Sequence, residues 1–260
     1  CEAQKLDVDT LIHESGLAQM EVNFLHGDAL DLADQVFVFK RTMRETALRN
    51  GVFATFMAKP MANEPGSALH IHQSIVDTKT GLNIFSQEDG SEHPRFRHFI
   101  GGLQQFTPAA MAFFAPSVNS YRRLSPDFAA PTNMHWGYEN RTTGIRIPDS
   151  NAQARRVENR FPGADCNPYL AIAVSLACGY LGMKQGIMPS QPHTGDAYAE
   201  PLTVPRSLEA SLRLLDEQSA LKDVLGPSFV RAYKAVKSHE FEAFNKVISS
   251  WEREYLLLNV

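Results

Sequence analysis

The chain has 260 residues, 43% hydrophobic and 21% charged, and carries a formal net charge of −4. That length buries a sizeable core, while the slightly acidic balance offers no basic field for nucleic acid or an anionic membrane. Three cysteines (Cys1, Cys166 and Cys178) without a CxxC argue against a disulfide framework or a structural zinc and fit a reducing cytoplasm, and no membrane span or signal peptide is expected.

The chain starts in a polar stretch without an initiator Met, so residues 1–260 are expected to belong to a longer polypeptide. In LIHESGLAQMEVNF, Glu14 precedes a Gly-containing bend and Glu21 begins an alternation. Glu21 and Asn23 face one way there, Val22 and Phe24 the other. A helix follows, with Asp28 as its N-cap, Asp31 in the first turn and Gly51 as its stop. Leu32, Val36, Phe39, Met43 and Ala47 are its expected buried stripe. VFATFMAK reads as a strand leading into a loop with Pro60, Pro65 and Gly66. A short strand then puts His70, His72 and Ser74 on one face and Leu69, Ile71 and Ile75 on the other, with Gln73 as a polar intruder. By itself HxH is as readily a half-solvated sheet face as a binding site.

Residues 78–94 form a polar connection, and Pro94 to Phe114 is helical with Gly101-Gly102 as an interruption. Tyr121 to Pro131 is a loop rich in charge and proline, whose polarity alone means only exposure. In GIRIP, Arg146 projects opposite to Ile145 and Ile147. In ARRVENRF, Arg156, Glu158 and Arg160 share one face and Val157 and Phe161 the other. Taken alone, that ladder is first a surface charge pattern worth little; the alternative is a metal-binding carboxylate between two anion clamps. NPYLAIAVSLACGYLGM is a buried helix capped by Asn167 with Pro168 at its first position. Cys166 and Cys178 are read as packing residues. Pro189 to Pro205 is a loop, and the remainder is helical, broken at Leu225-Gly226-Pro227, with Phe, Val and Leu positions expected in the core or in subunit contacts. Strand clusters mixed with helices, without βαβ alternation, indicate an α+β fold.

The polar residues gathered by these phases are Glu14, Glu21, His70, His72, Arg146, Arg156, Glu158 and Arg160. Carboxylates and a His suit Mg²⁺ or Mn²⁺, and guanidiniums suit phosphate. Together they suggest ATP and phosphoryl transfer, held without a Walker A loop or a GxGxxG.

PGSALHIHQS, VNSYRRL, NRTTGIRIP and RVENRFPGADCNPYL, in this order, resemble motifs of the glutamine synthetase catalytic domain over nearly the whole chain. The resemblance implies one domain over 1–260 with a curved antiparallel sheet, a half-barrel flanked by helices. It implies ATP-dependent phosphorylation of the γ-carboxylate of glutamate, then displacement of phosphate by nitrogen. Glu14 and Glu21 correspond to ligands of the metal near glutamate, and His70 and Glu158 to ligands of the metal near the ATP phosphates. His72, Ser74, Arg141, Arg146 and Arg156 correspond to ATP contacts, Gly66 and Arg123 to glutamate contacts, and Arg160 to the clamp on the reacting carboxylate. Arg141 and Arg160 are the implied catalytic pair. The family's two further acidic metal ligands and small N-terminal domain are not found in these residues. A cytoplasmic homo-oligomer, a dodecamer of two hexameric rings, is the implied assembly, with no nucleic-acid or membrane partner.

Glutamine synthetases carry a flap glutamate before an Ala-Pro pair that helps bind ammonium; here the loop reads SPDFAAP and the matching position is Ala129. MAKPMANEPGSALHIHQS and HWGYENRTTG are similar to the γ-glutamylpolyamine (γ-glutamylputrescine) synthetase branch. The expected acceptor is therefore a primary amine such as putrescine, held near Ala129 and Trp136, with Glu139 adding acidic character. Ammonium-using glutamine synthetase and an inactive structural or regulatory member are the alternatives. Tyr198 lies where some bacterial members are adenylylated, in surroundings that match poorly.

Overall fold

A computed structural model describes residues 1–126 and 129–260. Its core is built on helix α2, Pro94–Phe114, lying against α3, Pro168–Gln185. Both helices start as their sequences predict: Pro occupies the first turn, and His93 and Asn167 accept backbone N–H bonds from Arg95 and Leu170. Phe96, Phe99, Ile100, Leu103, Phe106, Phe113 and Phe114 of α2 are completely or almost completely buried, each worth about 1.5–3 kcal/mol of burial. Gly101-Gly102 does not interrupt α2. A Cβ on Gly102 would lie 2.7 Å from the Cα of Gly182, so this glycine lets two helix backbones approach, and one on Gly101 would run into the Ile187 carbonyl just beyond α3.

The first helix, α1 (Ala29–Arg49), is capped by Asp28, whose side chain accepts from the N–H groups of Leu30 and Asp31, and ends before Gly51 at φ 72°. Its expected stripe is only half-buried; Ala33, Gln35 and Lys40 are the buried residues. The helix meets α3 on one side, where the Lys40 Nζ donates to the Cys166 carbonyl over 2.8 Å, while Phe39 touches Phe24 and Phe56 at a more open edge. VFATFMAK is not a strand. It has no ladder partner among the described residues, and Phe53 is 88% exposed.

Two open sheets carry the rest. Strands β1 (Val8–His13) and β2 (Met20–Phe24) form an antiparallel hairpin. The second sheet has the order β3-β6-β5-β4, from Ile71–Gln73, Val157–Asn159, Ile145–Ile147 and Trp136–Tyr138. The α+β class holds, but the sheet is not wholly antiparallel: β4, which the hydrophobic pattern did not reveal, runs parallel to β5. Parallel neighbours ordinarily need a long crossover. Strands of three residues are so short that the return over residues 139–144 suffices. Ile71, Asn159, Ile145 and Trp136 form one cross-strand row and all are buried. The intruder Gln73 is buried as well; its Oε1 accepts from the Ser175 hydroxyl of α3, which in turn accepts from Asn159.

The polar connection after β3 folds back on itself through bridges at Val76–Asn83 and Ser86–Glu92. Toward the C-terminus, α4 (Leu208–Glu217) and α5 (Ser219–Leu225) cover the core, and α6 (Pro227–Asn245) follows the predicted Gly226 break. A final helix, α7 (Ser250–Leu256), starts at a capping box of Ser249 and Glu252. Of the apolar positions in this tail, Val230 is buried and Tyr233 packs on the core, whereas Val247, Ile248, Trp251 and Leu258 are exposed.

Candidate active site

The second sheet has one apolar face and one charged face, and the pairing register makes the charged one. His72 lies opposite Glu158, and Glu158 lies opposite Arg146. Directly paired residues share a face, so these three stand in a single row across the sheet. Glu158 is the centre. It is 2% exposed, its Oε2 accepts from Arg146 Nη1 at 2.7 Å and its Oε1 from Arg160 Nη1 at 2.8 Å. The Nδ1 of His70 is 3.4 Å from Oε1. Burial pushes the Glu158 carboxyl up, but His70, Arg160 and Arg146 outweigh it and hold its pKa at about 2. Burial and then Arg160 pull His70 down to about 3 against the attraction of Glu158, so its imidazole is neutral near pH 7 and keeps a lone pair. His72 is also pulled down by burial, with Arg156 and Arg146 adding to it against Glu158, and its Nδ1 accepts from Arg156 Nε at 3.2 Å.

The hairpin brings the other carboxylates. Burial raises the pKa of Glu21, and the adjoining Glu14 carboxyl and the charge of Glu158 raise it further against an Asn23 hydrogen bond. This hairpin is docked by a contact that no periodicity announced. Gln19 Nε2 donates to the Gly66 carbonyl at 3.0 Å and to the Ser67 hydroxyl at 3.2 Å, and the Leu17 N–H donates to Glu64 Oε2 at 3.1 Å. A bend followed by Gln was the only available signal.

Gly66 and Arg123 are brought together. A Cβ at 66 would lie 2.5 Å from both the Ala58 carbonyl and Arg123 Cγ. Arg123 is 4% exposed, donates to the Phe161 carbonyl, and burial lowers its pKa to about 10. The turn that carries it is held by Asp165, whose Oδ2 accepts from the hydroxyls of Ser117 at 2.9 Å and Ser120 at 2.6 Å. Ser74 and Arg141 are exposed, and Arg141 lies within electrostatic reach of Glu139 rather than in the row. Glu139 pairs with Arg146, Oε2 to Nη2 at 2.9 Å. Trp136 is not available to an amine: it is completely buried, donates from Nε1 to the Ser190 carbonyl at 2.9 Å, and lies under Arg97. Ala129 is exposed at φ 56°; Asp127 and Phe128 of the expected flap lie outside the described residues. The Tyr198 hydroxyl is buried without a hydrogen-bond partner, which leaves it poorly placed for adenylylation.

Among the described residues, no group of three or more His, Cys, Asp and Glu side chains could hold a metal. The donors come in pairs, Glu14 with Glu21 and His70 with Glu158. That suits Mg²⁺, which is commonly held by one or two carboxylates plus substrate phosphates and water. The mutual repulsion at Glu21 is of the kind a cation relieves. The Nε groups of Arg146 and Arg160 are buried and lack hydrogen-bond partners among the described residues. No described helix is long and apolar enough to cross a membrane.

A buried carboxylate set among arginines, beside paired acids and imidazoles on an open α+β sheet, is an arrangement suited to anions together with a divalent cation. Residues 1–256 match the family pattern "Glutamine synthetase, catalytic domain", and the chain belongs to the glutamine synthetase family. It is 36% identical over 252 residues to "Type-1 glutamine synthetase 2" of Dictyostelium discoideum, covering 94% of this chain and 48% of that protein. It is 34% identical over 260 residues to "Gamma-glutamylputrescine synthetase PuuA" of Escherichia coli K12, covering 99% of this chain and 55% of that one. The solved structure of apo GmaS superimposes with a TM-score of 0.89 at 32% identity, over 98% of this chain and 60% of that one. The chain spans about half the length of the curated relatives it matches.

Proposed function

We propose that the protein carrying this chain is an ATP-dependent glutamate–amine ligase. The observation that carries this reading is the row His72–Glu158–Arg146, flanked by His70 and Arg160. Phosphorylating a carboxylate brings two anions together, and cations at close range make that tolerable. Mg²⁺ or Mn²⁺, held by Glu14 with Glu21 and by His70 with Glu158, would supply charge to the phosphate and carboxylate oxygens. His72, Ser74, Arg141, Arg146 and Arg156 would contact the ATP phosphates and nucleotide, Arg141 from its exposed position beyond the row. Gly66 and Arg123 hold glutamate, and Arg160 fixes the reacting carboxylate. The γ-carboxylate oxygen bonds to the terminal phosphorus as ADP leaves; the amine nitrogen then bonds to the acyl carbon, phosphate leaves, and the nitrogen loses a proton.

The acceptor is a primary amine, a polyamine such as putrescine. Ala129 supports this choice, because it removes the flap carboxylate that would attract ammonium and leaves room for an alkyl group. Ammonium is the competing acceptor, since the Dictyostelium relative is called a glutamine synthetase. Glutamate-dependent phosphate release by the whole protein decides between them. Release is expected with putrescine and little with ammonium; turnover of ammonium alone overturns the amine reading. The Ala129→Glu variant is expected to gain ammonium use and lose amine use. The protein is proposed to act in the cytoplasm as a homo-oligomer of two hexameric rings; the exposed apolar side chains of α6 and α7 support a subunit contact.

A further inference from the structure

We propose that Glu139 is a positioning residue: by taking a share of Arg146 it leaves Glu158 able to hold a divalent cation. The inference rests on the proposed cation role of Glu158 and His70. Arg146 stands between two carboxylates, with Nη1 2.7 Å from Glu158 Oε2 and Nη2 2.9 Å from Glu139 Oε2. The two differ in setting. Glu158 has a side chain 3% exposed, and that of Glu139 is 52% exposed. An exposed ion pair adds little stability, so the Glu139 contact is better explained by what it does to Arg146 than by what it adds to the fold.

The backbone supports the same reading. Glu139 follows β4 directly and has φ 48°, a left-handed conformation that a residue with a Cβ adopts at a cost. Its N–H donates to the Ile147 carbonyl at 2.9 Å, and its Oε1 accepts from the Asp149 N–H. The turn is thus shaped so that one carboxylate reaches across the β4–β5 edge to the far nitrogen of Arg146. A guanidinium divided between two carboxylates binds each less completely than it would bind one. Without the charge of Glu139, Arg146 settles on Glu158 Oε2, and an incoming cation must displace it. Arg141, the other cation within reach of Glu139, is not among the described residues that pair with Glu158, which are His70, Arg146 and Arg160, and does not substitute for this division.

The test is Mn²⁺ binding by the whole protein, followed by electron paramagnetic resonance without substrates, together with the thermal midpoint. Glu158→Gln first identifies the Mn²⁺ that depends on Glu158. Glu139→Gln keeps the shape and the acceptor for the Asp149 N–H. It is expected to weaken that Mn²⁺ by roughly 10-fold, the lower end for partners of metal ligands, with little change in thermal midpoint. In an Arg146→Met background, Glu139→Gln is expected to have no further effect, because its influence passes through the guanidinium. Unchanged Mn²⁺ affinity in Glu139→Gln, or the same loss with Arg146 absent, overturns the inference. If Glu158→Gln loses no Mn²⁺, the cation reading of Glu158 falls and this inference falls with it.

Discussion

Glu158 and His70 depend on pH in the same sense. The Glu158 pKa is depressed from 4.5 to about 2 in the folded chain, and that of His70 from 6.5 to about 3. A group that binds its proton less readily when folded stabilises the fold above its unfolded pKa and loses that contribution as pH falls toward the folded value. In chelator, stability is therefore expected to fall from about pH 6.5 toward 3 through His70, and from about 4.5 toward 2 through Glu158. Urea midpoints across this range check it; a flat profile contradicts the buried pairing. Glu158→Ala leaves Arg160 buried without its carboxylate and Arg146 with Glu139 alone, and at pH 7 it should cost about 3–5 kcal/mol. The alternation around His70, His72, Glu158 and Arg160 was readable because side chains on strands alternate and each motif is short. The shared guanidinium of Arg146 was not, because Glu139 and Glu158 meet only through the pairing of β5 with β6 and a turn whose φ no residue type announced.

At the level of elements, α2 was legible to the residue. Pro94 starts it, and the chain leaves the helical conformation after Phe114. Its glycines were misread because each answers to backbone more than 70 positions away, Gly102 to Gly182 and Gly101 to Ile187. Gly102→Ala is expected to destabilise the protein by about 1–3 kcal/mol through overpacking, visible as a lower thermal midpoint. A smaller effect is expected at Gln19, whose two hydrogen bonds tie the hairpin to the Gly66 loop. Gln19→Ala should cost about 1 kcal/mol and raise the KM for glutamate more than it lowers kcat. An unchanged KM would show that the hairpin does not depend on this tie. VFATFMAK illustrates the opposite difficulty: the residue pattern suits a strand, but a strand needs a partner, and local pattern does not say whether one is present.

For the whole molecule, the exposed surface of the C-terminal helices is the feature least explained by the fold of one chain. Ile248 is 68% and Trp251 58% exposed. If they lie between subunits, replacing both with Ser should shift the particle mass measured by light scattering toward smaller assemblies. An unchanged mass would remove them from any interface. The buried series Gln73–Ser175–Asn159 has a different bearing on the molecule. Strands of three residues are easily misaligned, and a slip by one position would turn His72 and Glu158 inward and Ile71 outward. The native alignment brings the Gln73 Oε1 and the Asn159 Nδ2 to one hydroxyl on α3, that of Ser175. These three side chains therefore weigh against a slipped alignment, because a misregistered sheet would hold uncompensated amides and charges in its interior.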